Sequence, residues 1–315
     1  MNSMSSRCDV PGHADLEGLM SQSGAYRFGI AAVEPVDGRS AAAYDQWIAA
    51  GCHDTMDYLD RYADVRRDPS LLLEGARSMI VAAFPYAAPV LPGEGKLRFA
   101  AYALGDDYHE VLRRRLEGAA EVLRQRWGGL TRVCVDTAPL RERYWAVRAG
   151  LGFIGLNCQL ILPGAGSYFF IGTILSTVDM TPDAPCRLSC AGCRRCVVYC
   201  PGQALDGNPS HPSLDARRCL SCLTIEHRGP LPSGVRLGRR VYGCDTCQIA
   251  CPHNRMADPV RPLPEFEPRP ELLELTRDDL LSMDQQRFST LFRHSAIKRA
   301  KLAGLQRNAL SVEPD

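Results

Sequence analysis

The chain has 315 residues, 45% of them apolar and 23% charged, with 37 Lys and Arg against 36 Asp and Glu. This composition excludes a disordered protein, and a net charge of +1 excludes a general basic coat, so any nucleic-acid contact must use local patches. The longest uncharged apolar stretches, such as Met79–Phe84, are far too short to span a bilayer.

The opening residues, MNSMSSRCDVPG, lack the apolar core of a secretion signal. A cytoplasmic, monomeric protein without membrane contact is expected. Residues 1–181 then alternate helical and strand patterns, as an α/β or α+β domain does. In chain order they predict a helix over Asp15–Ser23, a strand over Tyr26–Val33 and a helix over Ser40–Ala50. Ser78–Phe84 is a buried strand. Asp107–Trp127 is a long amphipathic helix with Val111, Leu112, Leu116, Ala119, Ala120 and Leu123 on its apolar face. Thr131–Val135 is a strand, Leu140–Arg148 a helix and Tyr168–Val178 a further strand. From 182 to 260 Cys, Pro, Gly and Arg dominate with little periodicity, so this segment needs something other than an apolar core to hold it. Residues 261–315 return to helical patterning, over Arg277–Met283, Arg287–Phe292 and Ala296–Ala309.

Fourteen cysteines are the anomaly, and ten of them fall between 186 and 251 inclusive. In a reducing compartment they point to metal or redox chemistry and away from disulfides. Cys190, Cys193, Cys196 and Cys200 form C-x2-C-x2-C-x3-C followed by Pro201. This is the two-cluster ferredoxin run, in which the fourth Cys ligates the other cluster. Cys244, Cys247 and Cys251 form C-x2-C-x3-C followed by Pro252, one ligand short, and Cys219 is the natural supplier. The crossed assignment places Cys190, Cys193, Cys196 and Cys251 on one 4Fe-4S cluster. Cys200, Cys219, Cys244 and Cys247 hold the other. Zinc prefers C-x2-C pairs separated by a spacer and fits this run poorly. Cys222 is surplus, a buried bystander, and Cys8, Cys52, Cys134, Cys158 and Cys186 read as small buried apolar side chains.

Three other features have two readings each. Gly150-Leu-Gly-Phe-Ile-Gly155 matches GxGxxG, but a helix precedes it and a strand follows, the reverse of the dinucleotide fingerprint. Asp136 follows a strand and precedes a helix: either it is the N-cap, the reading the residues alone favour, or it is a general acid. Between Gln285 and Val312 stand Arg287, Arg293, Lys298, Arg299, Lys301 and Arg307 with no acidic residue, which suits a polyanion better than a mixed solvated face.

A family likeness emerges from Met56-Asp-Tyr-Leu59, Arg66-Arg-Asp-Pro-Ser-Leu-Leu-Leu73, Gly105-Asp-Asp-Tyr-His109 and Val135-Asp-Thr-Ala-Pro139. It continues through Gly150–Gly155, Gly166-Ser-Tyr-Phe-Phe170, Cys219-Leu-Ser-Cys-Leu-Thr-Ile-Glu226, Tyr242-Gly-Cys-Asp-Thr-Cys-Gln248 and Ser295-Ala-Ile-Lys-Arg-Ala-Lys301. By these motifs the chain resembles the epoxyqueuosine reductases of queuosine biosynthesis, from about Tyr26 to Leu310. The resemblance implies a cobalamin-binding domain, a ferredoxin-like domain with two 4Fe-4S clusters, and a C-terminal helical segment contacting tRNA. It implies reduction of an epoxide to an alkene in the anticodon loop, with electrons relayed by the clusters from an external low-potential donor. It makes Asp136 the proton donor, its pKa raised beside an apolar corrin face. Arg66, Tyr108, Arg143 and Asn157 become cofactor-pocket residues, and Lys298, Arg299 and Arg307 phosphate contacts. No D-x-H-x-x-G offers a histidine to cobalt, so base-off binding without protein His ligation is consistent. Leu156, Ala101 and Cys222 depart from the usual Lys, basic and aromatic residues. Longer members carry a C-terminal helical-repeat module beyond the point where this sequence stops. Two competing readings are a reductive dehalogenase-like enzyme and a simple iron–sulfur electron carrier. The first usually has a twin-arginine signal. The second leaves the first ~180 residues and Asp136 without a role.

Overall fold

The computed structural model describes residues 10–312. The signal reading of the opening residues and Cys8 lie outside them. The N-terminal part opens with α1 (His13–Gln22), β1 (Arg27–Ala32) and α2 (Gly38–Ala49), followed by two short helices, α3 (Tyr58–Arg61) and α4 (Ala63–Arg67). Next come β2 (Ser78–Pro85), β3 (Arg98–Phe99), the 20-residue α5 (Tyr108–Trp127), β4 (Thr131–Cys134) and α6 (Glu142–Arg148). A small hairpin, β5 (Phe153–Ile154) and β6 (Leu160–Ile161), precedes β7 (Phe169–Ser176).

β1, β2, β7 and β4 form one sheet in that order, and every pairing is antiparallel. The domain is therefore of the α+β kind, without the crevice at parallel strand ends where open α/β sheets bind ligands. β2 is buried along its whole length, and its side chains alternate between two layers. Ile80, Ala82 and Phe84 join α1 and α5, while Met79, Val81 and Ala83 join Trp145 and Ala146 of α6. The predicted apolar face of α5 is the buried one. It lies close to the sheet because a Cβ at Gly172 would come within 2.5 Å of Leu116. Phe84 is fully buried in this layer. Phe84→Ala should cost about 3–5 kcal/mol, seen as a lowered melting temperature at unchanged iron content. An unchanged midpoint would show that the layer is not a tightly packed core.

The cluster segment holds α7 (Arg195–Val198), α8 (Leu220–Ile225), β8 (Arg240–Tyr242), α9 (Thr246–Ile249) and α10 (Pro252–Arg255). The last part holds α11 (Pro270–Leu273), α12 (Arg277–Leu281), α13 (Gln285–Leu291) and α14 (Lys301–Leu310). The single helix expected over Ala296–Ala309 is broken: a 3-10 turn covers Ala296–Ala300, and Lys301 adopts φ 62° before α14 runs on.

The segments interleave. β3 pairs in parallel with β8, Arg98 opposite Arg240 and Phe99 opposite Tyr242. Leu97, Phe99 and Leu104 share a core with Val241, Tyr242, Phe288, Phe292, Ile297 and Leu305. Phe266 returns to the α5 layer. Asn308, fully buried, donates from Nδ2 to the carbonyls of Thr224 and Val241, both at 2.8 Å. The expected boundaries near 181 and 260 are thus composition borders that the packing crosses.

Candidate active site and cysteine clusters

Asp136 stands on the loop between β4 and α6. It is not the cap of the helix: α6 starts at Glu142, its N-cap is Arg141, and Asp136 has φ 50°, a left-handed conformation. The sequence reading of Asp136 as an N-cap is therefore corrected. Instead the Asp136 backbone N–H donates to Glu142 Oε1 at 2.7 Å. Its carboxylate accepts from the Tyr108 hydroxyl at 2.9 Å and lies 3.0 Å from His109 Nε2, both on the same oxygen. His109 Nδ1 lies 2.7 Å from Asp107 Oδ1. Asp107 is the N-cap of α5, and the same oxygen accepts the His109 N–H, so the cap fixes the imidazole. The Tyr108 ring is sandwiched, stacked on Phe170 at 4.4 Å and on His109 at 4.0 Å.

The Asp136 side chain is 57% exposed although protein surrounds it densely, as on the floor of a concave site. Burial alone would raise its pKa. The His109 hydrogen bond and charge, the Tyr108 hydroxyl and the Arg143 charge outweigh it and hold the carboxyl below the usual range. The raised pKa expected beside a corrin face is not what these neighbours produce. For His109, burial opposes the charged form, but the bonds to Asp107 and Asp136 raise its pKa to about 9. Glu142 is pushed up to about 8, first by burial and then by the Asp136 charge. The two carboxyls are thus driven apart, Asp136 ionised and Glu142 holding a proton near neutrality.

Of the expected pocket residues, Tyr108 bonds this carboxylate and the Arg143 charge acts on it. Arg143 is exposed and its charge acts on Asp136, Glu142 and Cys158. Arg66 carries a buried Nε with no partner. Its charge acts on Tyr58, as do those of Glu226, Arg299 and Asp136. Asn157 is 1% exposed; its Oδ1 accepts from the Gln159 N–H at 3.2 Å, and its Nδ2 has no partner. A Cβ at Gly155 would meet Asn157 Oδ1 at 2.7 Å, so glycine there lets the loop close tightly. Two buried donors without partners, stacked aromatics and an accessible carboxylate fit a broad ligand with hydrogen-bond acceptors along its edge, as a corrin with amide arms has. The glycine run follows α6, contains β5 and is followed by β6, so no helix opens after it as the dinucleotide fingerprint requires.

The cysteines fall into two neighbourhoods. Cys196, its pKa pushed to about 11 first by burial, also feels Cys251, Cys190 and Cys193. Cys247, likewise raised by burial, feels Cys244, Cys219 and Cys200 ahead of Cys196. Backbone N–H groups of Leu156 and Ala204 reach Cys190 and Cys200 Sγ at 3.3 and 3.2 Å. Cys222 points elsewhere, donating to Asp54 Oδ2 at 3.7 Å. Cys134 is buried, while Cys52, Cys158 and Cys186 are partly exposed. Buried Leu156 shares a cluster with Cys196 and Leu205, against which Cys158, Cys190 and Cys247 pack. Cys158 senses Arg143 on one side and Cys196 and Cys219 on the other. The Asp136 site and the cysteine region are therefore contiguous.

The C-terminal cations divide. Lys298 and Lys301 are exposed, with no ion-pair partner among the described residues. Arg299 is 54% exposed and forms a bidentate pair with Glu226. Arg307 is not available to a phosphate. Its guanidinium donates to the carbonyls of Leu223, His227 and Gly229 and to Asn308 Oδ1, tying α14 to α8. The expected phosphate role of Arg307 is therefore corrected to a structural one.

The sequence reading passed over His109, Asp107 and Glu142. The Asp107-Tyr-His109 spacing at a helix start could signal a capped histidine. Nothing in the sequence says which carboxylate meets its other nitrogen.

The model of a family described as "Epoxyqueuosine reductase QueG, DUF1730" matches residues 66–137, and one described as "4Fe-4S double cluster binding domain" matches 189–254. An epoxyqueuosine reductase of Gloeobacter violaceus is 37% identical over 312 residues, 96% of each chain. A crystal structure of an epoxyqueuosine reductase with a tRNA-Tyr epoxyqueuosine-modified stem loop superposes with TM-score 0.83 at 31% identity. It covers 93% of this chain and 79% of that one. The Bacillus subtilis enzyme, solved with an aspartate-bearing catalytic loop swung out of its active site, gives 0.82 at 30%, over 93% and 79%.

Proposed function

Because this chain belongs to the epoxyqueuosine reductase family, an oxidoreductase family of queuosine biosynthesis with a 4Fe-4S double-cluster domain, we propose how its own residues carry the reaction. It reduces epoxyqueuosine to queuosine in the anticodon loop of tRNA, and Asp136 hands a proton to the epoxide oxygen. The observation that supports this most is the left-handed Asp136. Freed from capping, its carboxylate faces solvent in a concave site, wired to a tyrosine and a histidine.

Cobalamin, when bound, would supply electrons at carbon, and the eight cysteines would hold two clusters able to relay single electrons from an external low-potential donor. Arg66 and Asn157 would hold the cofactor edge, with donors that lack partners without it. Tyr108 orients the Asp136 carboxylate, and Arg143 offers a positive charge to the substrate side. The ligand sets proposed are Cys190, Cys193, Cys196 and Cys251, and Cys200, Cys219, Cys244 and Cys247. The grouping of their thiols supports that partition. The tRNA-bound relative supports the substrate class, and the loop movement in the Bacillus subtilis relative suits a mobile Asp136. Anaerobic turnover of epoxyqueuosine tRNA, with and without added cobalamin, tests the reading. Cobalamin-independent turnover, or turnover of a halogenated organic instead, would overturn it.

The tRNA contact is assigned to Lys298 and Arg299, with Lys301 beside them at the rim. Arg299 acts on Tyr58, which also senses Asp136. Lys298→Ala with Lys301→Ala should weaken tRNA binding and flatten the salt dependence by about one unit of log–log slope for each phosphate left without its cation. Arg307→Ala should lower the melting temperature and leave that slope alone. The opposite pattern would restore Arg307 as the phosphate ligand.

A further inference from the structure

Reducing an epoxide to an alkene breaks two C–O bonds, forms one C=C bond and releases the oxygen as water. The step consumes two electrons and two protons. The electrons come from the external low-potential donor. One carboxyl carries one proton, so a single Asp136 must be recharged within each turnover. Among the described residues, two side chains hydrogen-bond its carboxylate, the Tyr108 hydroxyl and His109 Nε2.

We propose that His109, fixed between Asp107 and Asp136, is the positioning residue that supplies Asp136 with protons for the reaction. This rests on the reading of Asp136 as the proton donor. The Nε2 proton crosses 3.0 Å to Asp136 Oδ2, and the carboxyl passes it to the leaving oxygen. His109 is then neutral, keeping its Nδ1 proton on Asp107. It regains the lost one from water, since its side chain is 28% exposed. Tyr108 is the poorer source: burial and then the Asp136 charge raise its pKa, so it orients the carboxylate. The groups facing His109 are Asp107 and Tyr108 on its own helix and Asp136 from the loop after β4. Glu142 on α6 senses its charge, and Arg143 faces the same carboxylate. The arrangement explains how an aspartate held ionised can serve as an acid. The proton is stored on the imidazole, whose charge is stabilised up to about pH 9, and visits the carboxyl during transfer.

Two measurements test it. In unloaded wild-type protein, NMR titration of His109 should give a pKa near 9, falling by a unit or more in Asp136→Asn. A value near 6.5 in wild type overturns the proposal, even if every His109 variant is unstable. In turnover, His109→Gln keeps a donor near the Nε2 position but cannot release a proton. Its rate should fall by ~10²-fold or more at wild-type iron content and melting temperature. The wild-type rate should hold to about pH 9 and then drop. The variant's should decline steadily through neutrality, and added imidazole should restore part of it. An unchanged rate and pH profile in His109→Gln, with Asp136→Asn inactive, sinks this inference and leaves the Asp136 reading intact. An active Asp136→Asn removes both.

Discussion

Asp136→Asn should lower turnover of epoxyqueuosine tRNA by ~10²–10⁴-fold while the protein stays folded and loaded. Asparagine keeps the shape of the side chain and tolerates the left-handed φ of 50°, so the backbone bond to Glu142 survives. What disappears is the transferable proton. Because Asp136 caps no helix, no capping energy is lost either. A rate near wild type, with chemistry shown to be rate-limiting, would return Asp136 to a structural role.

The same substitution has a pH signature in stability. His109 is raised, so its stabilisation is complete below about pH 6.5 and is lost as pH rises through about 9. Asp136 is lowered, so its share is present above about pH 4 and is lost as pH falls through its folded value. The two shifts describe one coupled pair. Wild type should therefore exceed the variant most between about pH 4 and 6.5 and converge with it above 9. Melting temperatures across that range check the sign.

Cys196→Ala and Cys244→Ala should each remove about half of an iron content of about eight, and each should erase a different cluster's signal. The thiol of Cys196 sits among Cys190, Cys193 and Cys251, whereas the charge of Cys244 acts on Cys219 and Cys247. Cys222→Ala should keep both clusters, because its thiol bonds Asp54. Iron analysis with low-temperature EPR of the reduced proteins decides it. Loss of a cluster in Cys222→Ala would show that the eighth ligand was misassigned.

The large elements were legible because their signals are long. All four expected strands and α5 lie within two residues of where apolar runs and period placed them. Partners were not legible. The antiparallel order of the sheet depends on long-range pairing that apolar runs do not encode. The ladder of two-residue β3 with three-residue β8 is too short to leave a pattern. At the site, the Asp136 carboxylate was found through motif likeness. Its lowered pKa depends on His109, whose Nε2 partner only the folded chain reveals. Arg307 shows the converse limit. A cation in an acid-free stretch looks like an anion contact until its donors are found spent on internal carbonyls.

The parallel ladder between β3 and β8 also bears on modularity. Ferredoxin-like segments are often pictured as exchangeable cassettes, but this one could not be lifted out as one. Cut at 182 and 260, it would lose the strand that pairs with Arg240 and Tyr242, and strip the cover from Val241 and Tyr242, both almost wholly buried. Asn308 would no longer answer the Val241 carbonyl from the C-terminal helix. A graft from a relative would have to bring residues near 97–104 and the last helix with it. The cysteine segment, the 97–104 stretch and the last helix therefore form one packed unit.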